Sequence, residues 1–229
     1  EPLRSVEILD PFVAGSSRPA PDLDEAMVGH TAHLLSRGGV LVIGGSSAHT
    51  LDVAALRWDA PIPLCVPRRG HASVLLDDRR AVVIGGDRVS AEIGADVAPG
   101  GATIETIDLV TGAAVTWPVR FPTPLAQTSA IVLDDGRILV VGGLDEPADR
   151  TLSQCWLLDP QARTMVEGPR LELPRGACDV ALFRMNSDGA AGPTRGVAIV
   201  GGEWRDGDAR GEPHAAFFFQ PAMAGGRLG

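Results

Sequence analysis

The chain has 229 residues, of which 45% are hydrophobic, 28 are Gly and 18 are Pro; this composition is typical of many strands separated by turns. Its formal net charge is −9, and all 20 of its basic residues are Arg. An acidic chain without a basic stripe argues against nucleic acid as a partner. No apolar run approaches the roughly 18 residues that a membrane-spanning helix needs.

Three cysteines, Cys65, Cys155 and Cys178, lie far apart along the chain and form no CxxC pair. This spacing indicates neither a disulfide framework nor a zinc site. The cysteines are interpreted as small apolar residues within strands, and one disulfide is the alternative. No cofactor and no metal site are predicted.

A pattern of two apolar runs joined by a turn and closed by two glycines occurs four times. The clearest copy is GHASVLLDDRRAVVIGG at residues 70–86, in which residues 77–80 form the turn. The other copies occupy residues 29–45, 126–143 and 177–202. Branched apolar residues on both sides of a turn predict a β-hairpin for each copy.

The second run of each hairpin is apolar throughout, as in AVVIGG and ILVVGG. A strand that is apolar on both faces is predicted to lie between other sheets. The glycine doublets are interpreted as positions where buried strands crowd together and the chain leaves the strand with a positive φ. None of them continues as GxxxxGK[ST] or opens a helix, so the pattern does not indicate phosphate-binding loops.

Further strands are predicted around the hairpins. Runs that end in a turn are SVEILDP (5–11), TIETIDLVTG (103–112), SQCWLLDP (153–160) and HAAFFFQP (214–221), and runs that contain Trp are LRWDAPIPL (56–64) and AVTWPVRFP (114–122). Each repeating unit is therefore predicted to hold four strands, a and b in the hairpin followed by c and d.

These units resemble Kelch repeats, in which His opens strand a, Gly-Gly closes strand b, a Tyr-Asp-Pro-like turn ends strand c and Trp lies in strand d. The matching residues are His30 and His71 for the first feature, all four doublets for the second, Asp10-Pro11 and Asp159-Pro160 for the third, and Trp58 and Trp117 for the fourth. The unit after Gly45 is short and lacks the Asp-Pro. The resemblance implies an all-β fold, a Kelch-like β-propeller of four-stranded blades around a channel.

The chain is predicted to form a single Kelch-like domain over residues 1–229, or a propeller fragment, with about four to five blades. The predicted blade units are 1–28 (partial), 29–69, 70–125, 126–176 and 177–229. Two arrangements stay open. Residues 5–11 complete the last blade and close a small ring, or the chain is a slice of a larger propeller whose exposed edges pair with missing blades or with another copy. The slice is the favoured expectation.

The loops that leave the glycine doublets and those that enter strand a are predicted to share one propeller face, where the resemblance implies partner binding. The candidate ligand-binding residues are Arg68, Arg69, Asp87, Asp145, Arg175, Glu203, Trp204 and Arg205. Arginine suits forked contacts with a carboxylate or an acidic peptide, and an exposed Trp204 suits an anchor. The alternative is that the charges are solvated and that Trp204 folds back against a blade edge.

No catalytic residue is predicted, because neither GxSxG nor HExxH occurs. Copper radical oxidases of the galactose-oxidase kind are similar in having a Kelch-like propeller, but their chemistry requires Tyr and this chain has none. Such a site would have to come from outside this segment. His30 and His33 point to opposite faces of one strand and make a poor metal pair, and His30 and His71 are interpreted as structural hydrogen-bonding groups.

The sequence favours a non-enzymatic scaffold that binds a protein or peptide, with an acidic peptide as the partner that the arginines would suit. The alternative is a sugar-active propeller enzyme or a lectin-like glycan binder, similar to sialic-acid epimerases. The absence of Lys suggests a GC-rich genome and a bacterial source. Many bacterial Kelch-like proteins are exported, so a periplasmic or extracellular location is expected.

Overall fold

Strands make up nearly all of the regular structure. The computed structural model describes residues 3–13, 15–88, 100–185, 194–211 and 216–220. These residues contain no α-helix, and their helical elements are two 3₁₀ turns at Gly100–Ala102 and Glu146–Ala148. No helix within the described residues could cross a membrane. The prediction of an all-β chain is confirmed.

The chain divides into two compact units, Glu1–Ala126 and Gln127–Gly229. The first unit contains β1 (Val6–Ile8), β2 (Arg18–Ala20), β3 (Thr31–Leu34), β4 (Val40–Asp52), β5 (Arg57–Trp58), β6 (Ile62–Arg69), β7 (Ala72–Asp77), β8 (Arg80–Ile84), β9 (Asp87–Arg88), β10 (Ile104–Asp108) and β11 (Ala113–Thr116). The second contains β12 (Ser129–Val132), β13 (Ile138–Val141), β14 (Leu144–Asp145), β15 (Arg150–Thr151), β16 (Gln154–Asp159), β17 (Thr164–Arg170), β18 (Asp179–Met185), β19 (Thr194–Val200), β20 (Trp204–Asp206), β21 (Ala209–Gly211) and β22 (Ala216–Gln220). The division into five blade units stays a prediction.

Four-stranded antiparallel sheets recur in both units. In the first unit one sheet has the order β7-β8-β10-β11, so the four strands lie side by side in chain order. The second unit repeats this arrangement as β12-β13-β16-β17, and β18-β19-β22 follows the same order over its described strands. The remaining sheets are β3-β4-β6-β9 with β5 beside β4, the pair β1-β2, and β14-β15-β20-β21.

The four predicted hairpins all form, and the second strand is largely buried in the first three, whereas Val200 on the second strand of the fourth is 53% exposed. The hairpins are β3-β4, β7-β8, β12-β13 and β18-β19. All four residues from Ala81 to Ile84 have an exposed fraction of 0%, and those from Ile138 to Val141 reach at most 4%. Apolar residues on both faces therefore mark strands that are covered on both sides in β8 and β13.

The first hairpin departs from the repeat. Strand β4 runs on through Gly44 and Gly45 to Asp52 without a break, and it pairs with β6 beyond the doublet. The chain therefore has no separate strand c in this unit. This continuity explains why the sequence after Gly45 looks short.

Aspartates close the turn between strands c and d. The Oδ1 atom of Asp108 accepts hydrogen bonds from the backbone N–H groups of Val110 and Thr111, at 2.8 and 2.9 Å. Asp159 makes the equivalent pair of contacts. Asp52 does so at the end of β4, although no Pro follows it. The repeating Asp is thus a turn-forming residue, because a short carboxylate can replace backbone partners two and three positions ahead.

Candidate functional site

The predicted ligand-binding residue Arg68 lies inside the first unit. Its side chain and that of Glu105 each have an exposed fraction of 0%, and Arg68 Nη2 donates to Glu105 Oε1. Arg68 also donates to the carbonyl oxygens of Val66 and Gly85 and to Thr103 Oγ1. Burial lowers the pKa of Arg68, and the neighbouring Glu105 carboxylate opposes that shift. Arg68 therefore links β6 to β10 and to the glycine doublet that follows β8. Whether Arg68 contacts a ligand stays a prediction.

The other predicted residues of the first unit lie on a short ladder between β6 and β9. Arg69 is exposed, and the register places it opposite Asp87. Residues 89–99 of the loop that follows, including its charged residues, lie outside the described residues.

Most of the predicted residues of the second unit are gathered on one small sheet. Asp145 is on β14, and Trp204 and Arg205 are on β20 of the sheet β14-β15-β20-β21; Glu203 directly precedes β20. The loops that leave the two glycine doublets of this unit therefore pair with each other as strands. A β-bridge between Gly176 and Glu203 brings Arg175 beside this sheet.

The charges on this sheet are paired, and the tryptophan is partly covered. Arg205 contacts Glu203 through Nη2 and Asp149 through Nη1, the latter at 3.8 Å. Asp145 is 5% exposed and lies 3.7 Å from Arg150 Nε. Trp204 packs over Gly211 of the paired strand β21, where a Cβ would lie 3.3 Å from the indole ring. Both the ligand-anchor role of Trp204 and its alternative, packing against a blade edge, stay predictions.

A chain of hydroxyl and imidazole groups that sequence reasoning missed connects β3 with β7. His33 Nε2 lies 2.6 Å from Ser73 Oγ, and Ser73 Oγ lies 2.5 Å from Thr31 Oγ1. Thr31 Oγ1 is in turn 3.1 Å from His71 Nε2. His71 is therefore a hydrogen-bonding group, as predicted, whereas His30 is exposed and lines an apolar cavity of about 740 Å³.

The two histidines of this hydrogen-bonded series, His33 and His71, are neutral near pH 7. Burial lowers the pKa of His33. Burial, with additional contributions from Arg68, His30 and His33, lowers the pKa of His71 to about 3. A neutral imidazole has one nitrogen that donates and one that accepts.

One direction of proton donation suits all four groups. The Nδ1 atom of His71 is buried and has no hydrogen-bond partner, and an unpaired buried N–H is the costlier of the two possibilities. We therefore assign the His71 proton to Nε2, which donates to Thr31; Thr31 then donates to Ser73, and Ser73 donates to His33. In this arrangement His33 Nε2 is a base in contact with a serine hydroxyl.

We expect His71 to make the first unit less stable in acid. Because its pKa is about 3 in the folded chain and 6.5 when exposed, the unfolded chain binds the proton more readily at pH values between these two. Stability should fall on acidification from about pH 6.5 towards pH 3, by up to about 1.4 kcal/mol per pH unit from this group. Urea unfolding at several pH values measures the slope, which should decrease in His71→Gln. The control His30→Gln, at the matching but exposed position before β3, removes only a contribution that ranks below burial and Arg68, so its slope should stay close to that of the wild type; equal slopes for wild type and His71→Gln would contradict the expectation.

The described cysteine, acidic and imidazole groups form no three-ligand metal site. Cys65, Cys155 and Cys178 are all free thiols, and burial raises the pKa of Cys155 to about 12. In the part of the chain that the structure describes, no group of three or more His, Cys, Asp or Glu side chains is placed to hold a metal ion.

No protein-family model and no curated protein sequence matches the chain. Solved structures do match, among them a "novel fungal alcohol oxidase with catalytic diversity among the AA5 family, in complex with copper". The match has a TM-score of 0.54 at 16% identity and covers 96% of this chain and 58% of the oxidase chain. At this identity the likeness concerns the fold, and the chain spans somewhat less than three fifths of the matched structure.

A copper centre of that oxidase does not carry over to this chain. The sequence has no Tyr, and the described His, Cys, Asp and Glu side chains form no three-ligand group. The residues that the structure describes therefore do not fit a copper site of their own.

This comparison corrects the functional prediction from sequence. The expected non-enzymatic scaffold is wrong, because a solved structure that matches 96% of the chain is that of an enzyme described as an alcohol oxidase. The sugar-active or lectin-like alternative, which belonged to the same prediction, is not proposed again. The residues that resemble Kelch repeats indicate a fold, and a fold does not by itself specify a function.

Proposed function

We propose that the chain is an enzyme domain with a Kelch-like β-propeller fold of about four to five four-stranded blades, and that Ser73 and His33 are its reactive pair. The repeated four-stranded antiparallel sheets in chain order support the fold. The likeness to an enzyme over 96% of the chain supports catalysis. The single observation that carries the site is the distance of 2.6 Å between Ser73 Oγ and His33 Nε2.

The reaction that suits this pair is acyl transfer from an ester to water. Ser73 Oγ attacks the ester carbonyl carbon while His33 Nε2 takes the hydroxyl proton, and His33 then gives this proton to the departing alcohol. A water molecule, deprotonated by His33, next attacks the acyl-serine. This step releases a carboxylic acid and restores the Ser73 hydroxyl.

The neighbouring groups favour this role. The lowered pKa of His33 keeps it deprotonated at neutral pH, as a base requires. Donation from Thr31 to Ser73 Oγ stabilises the negative charge that develops on the oxygen as its proton leaves. The buried His71 fixes Thr31 from the other side. Ser73 itself is half-buried and is held by two strands, which limits its rotamers.

A serine-reactive fluorophosphonate tests the proposal. We expect the probe to label the wild-type chain once, at Ser73, and to leave Ser73→Ala unlabelled by intact-mass measurement. Removal of the base in His33→Gln should slow labelling by about 100-fold or more. The midpoint of the pH dependence of the labelling rate should lie below pH 6.5, because burial lowers the pKa of His33 from that value.

Ser129 is the matched control. It also lies on the first strand of a hairpin, but its hydroxyl donates to the carbonyl oxygen of Cys178 instead of to an imidazole. Ser129→Ala should react like the wild type. Labelling at another residue, or equal rates for wild type and His33→Gln, would show that the pair is a structural contact.

A further inference from the structure

Arg175 is a buried cation that the described residues leave without a counter-ion. Its exposed fraction is 2%. Its side chain makes one hydrogen bond, from Nη1 to the carbonyl oxygen of Gly201 at 3.1 Å. The Nε atom is buried without a partner, and none of the described carboxylates forms an ion pair with it.

The backbone holds this side chain in place. The carbonyl oxygen of Arg175 accepts from the N–H of Gly143 at 2.9 Å, and its own N–H donates to Leu152. The next residue, Gly176, exchanges two hydrogen bonds with Glu203. Arg175 is therefore fixed by three segments, and its unpaired nitrogen is not the result of a loose loop.

Arg68 supplies an internal comparison within the same chain. Both arginines follow a Pro in the segment before a hairpin, and each donates to the carbonyl oxygen of the first glycine of a doublet. Arg68 is neutralised by Glu105, which lies opposite Val83, two residues before Gly85. In the second unit the same position, opposite Ile199, is occupied by Ala216. Among the described residues, the carboxylate that balances Arg68 thus has no equivalent for Arg175.

A buried guanidinium without an anion is energetically unfavourable. With Nη1 occupied by Gly201, the free edge of Arg175 is the one formed by Nε and Nη2. Two parallel N–H groups in one plane match the two oxygens of a carboxylate. The charge of Arg175 also acts on its surroundings, since it opposes the rise that burial causes in the pKa of Cys178.

We propose that Arg175 binds a small free carboxylate, such as acetate or formate, in the place that Glu105 takes beside Arg68. This site is in the second unit and does not depend on Ser73 or His33. Of the candidate ligand-binding residues predicted from sequence, this proposal concerns Arg175 alone.

Thermal unfolding with added salts tests the site. Sodium acetate or formate at about ten times its dissociation constant should raise the unfolding temperature of the wild type by about 5 °C, whereas sodium chloride at equal ionic strength should not. Arg175→Met should lose this rise, and Arg69→Met, which removes an exposed arginine, should keep it. The same rise with chloride, or in Arg175→Met, would overturn the proposal.

Isothermal titration with acetate gives an independent measurement if Arg175→Met does not fold. The wild type should bind one acetate per chain. Arg175→Lys keeps the positive charge but lacks the planar pair of N–H groups, so its dissociation constant should increase at least tenfold. The absence of saturable acetate binding to the wild type, or equal binding to Arg175→Lys, would refute a carboxylate site. If Ser73 were not labelled by the fluorophosphonate, the proposed reactive pair would be refuted, but the acetate titration would still test the Arg175 site.

Discussion

We expect Gly85→Ala to lower the free energy of unfolding by about 3–5 kcal/mol, because two costs coincide at this residue. Gly85 has φ +67°, a conformation that an alanine adopts only with strain. A Cβ built on it would lie 2.3 Å from the carbonyl oxygen of Leu125. This oxygen accepts a hydrogen bond from Gly86 at 2.7 Å, so the backbone cannot move away without breaking a contact. Chemical denaturation of the variant measures the loss.

Gly112→Ala separates the two costs. Gly112 has nearly the same backbone conformation, with φ +69°, but nothing lies within 4 Å of its Cβ position. Its substitution should cost only about 1 kcal/mol. The difference between the two variants is therefore the cost of the close approach. Equal losses would contradict the interpretation that the doublets mark crowded strand exits.

The hairpins were predictable because their signals are local. Residues 70–86 contain two apolar runs and a polar turn in sequence, and β7 and β8 follow that pattern closely. Burial of the second strand could also be deduced, since residues 81–84 are apolar on both faces. The turn-closing role of Asp108 follows from general turn chemistry, so even this hydrogen bond was within reach of the sequence.

Pairings between distant segments were not predictable in the same way. The loops after Gly143 and Gly202 looked like solvated charges, yet they form β14-β15-β20-β21. Their residues carry no alternating apolar pattern, so their pairing is decided by the positions of the strands on either side. For the same reason, the continuation of β4 through its doublet could not be foreseen.

The contact between His33 and Ser73 was missed for a geometrical reason. Strand alternation correctly separates His30 from His33, but it gives no information on what His33 faces. Its partner Ser73 belongs to a different sheet, and no hydrogen-bonded register links β3 with β7. Contacts between the faces of two sheets depend on how the sheets pack, and a single sequence does not specify this packing.

Arginine burial likewise needed the structure. Arg68 and Arg175 sit in similar sequence contexts before a hairpin, which suggests similar roles. They differ because, within the described residues, Arg68 has a carboxylate beside it and Arg175 has none, and that carboxylate is supplied by strand β10. Amino-acid composition does not distinguish a charged side chain in an exposed loop from one that is buried between strands.

The Arg68–Glu105 pair leads to the second large effect. We expect Glu105→Ala to cost about 3–5 kcal/mol in the free energy of unfolding, because it leaves a buried guanidinium without its counter-charge. The same substitution also removes the acceptor of the Cys65 N–H, which donates to Glu105 Oε2 at 2.7 Å. Both losses affect the junction of β6 and β10.

The double variant Arg68→Met/Glu105→Leu distinguishes the value of the pair from the penalty of breaking it. Replacing both charges with apolar side chains of similar volume removes the unpaired guanidinium, so stability should recover to within about 1–2 kcal/mol of the wild type. The residual loss comes from the carbonyl oxygens of Val66 and Gly85 and from Thr103, which lose the hydrogen bonds that Arg68 donates. Urea denaturation of the two single variants and the double variant gives the coupling energy directly. If the double variant were as unstable as Glu105→Ala, the lost hydrogen bonds rather than the unpaired charge would account for the effect, and Arg175 would no longer be expected to require an anion.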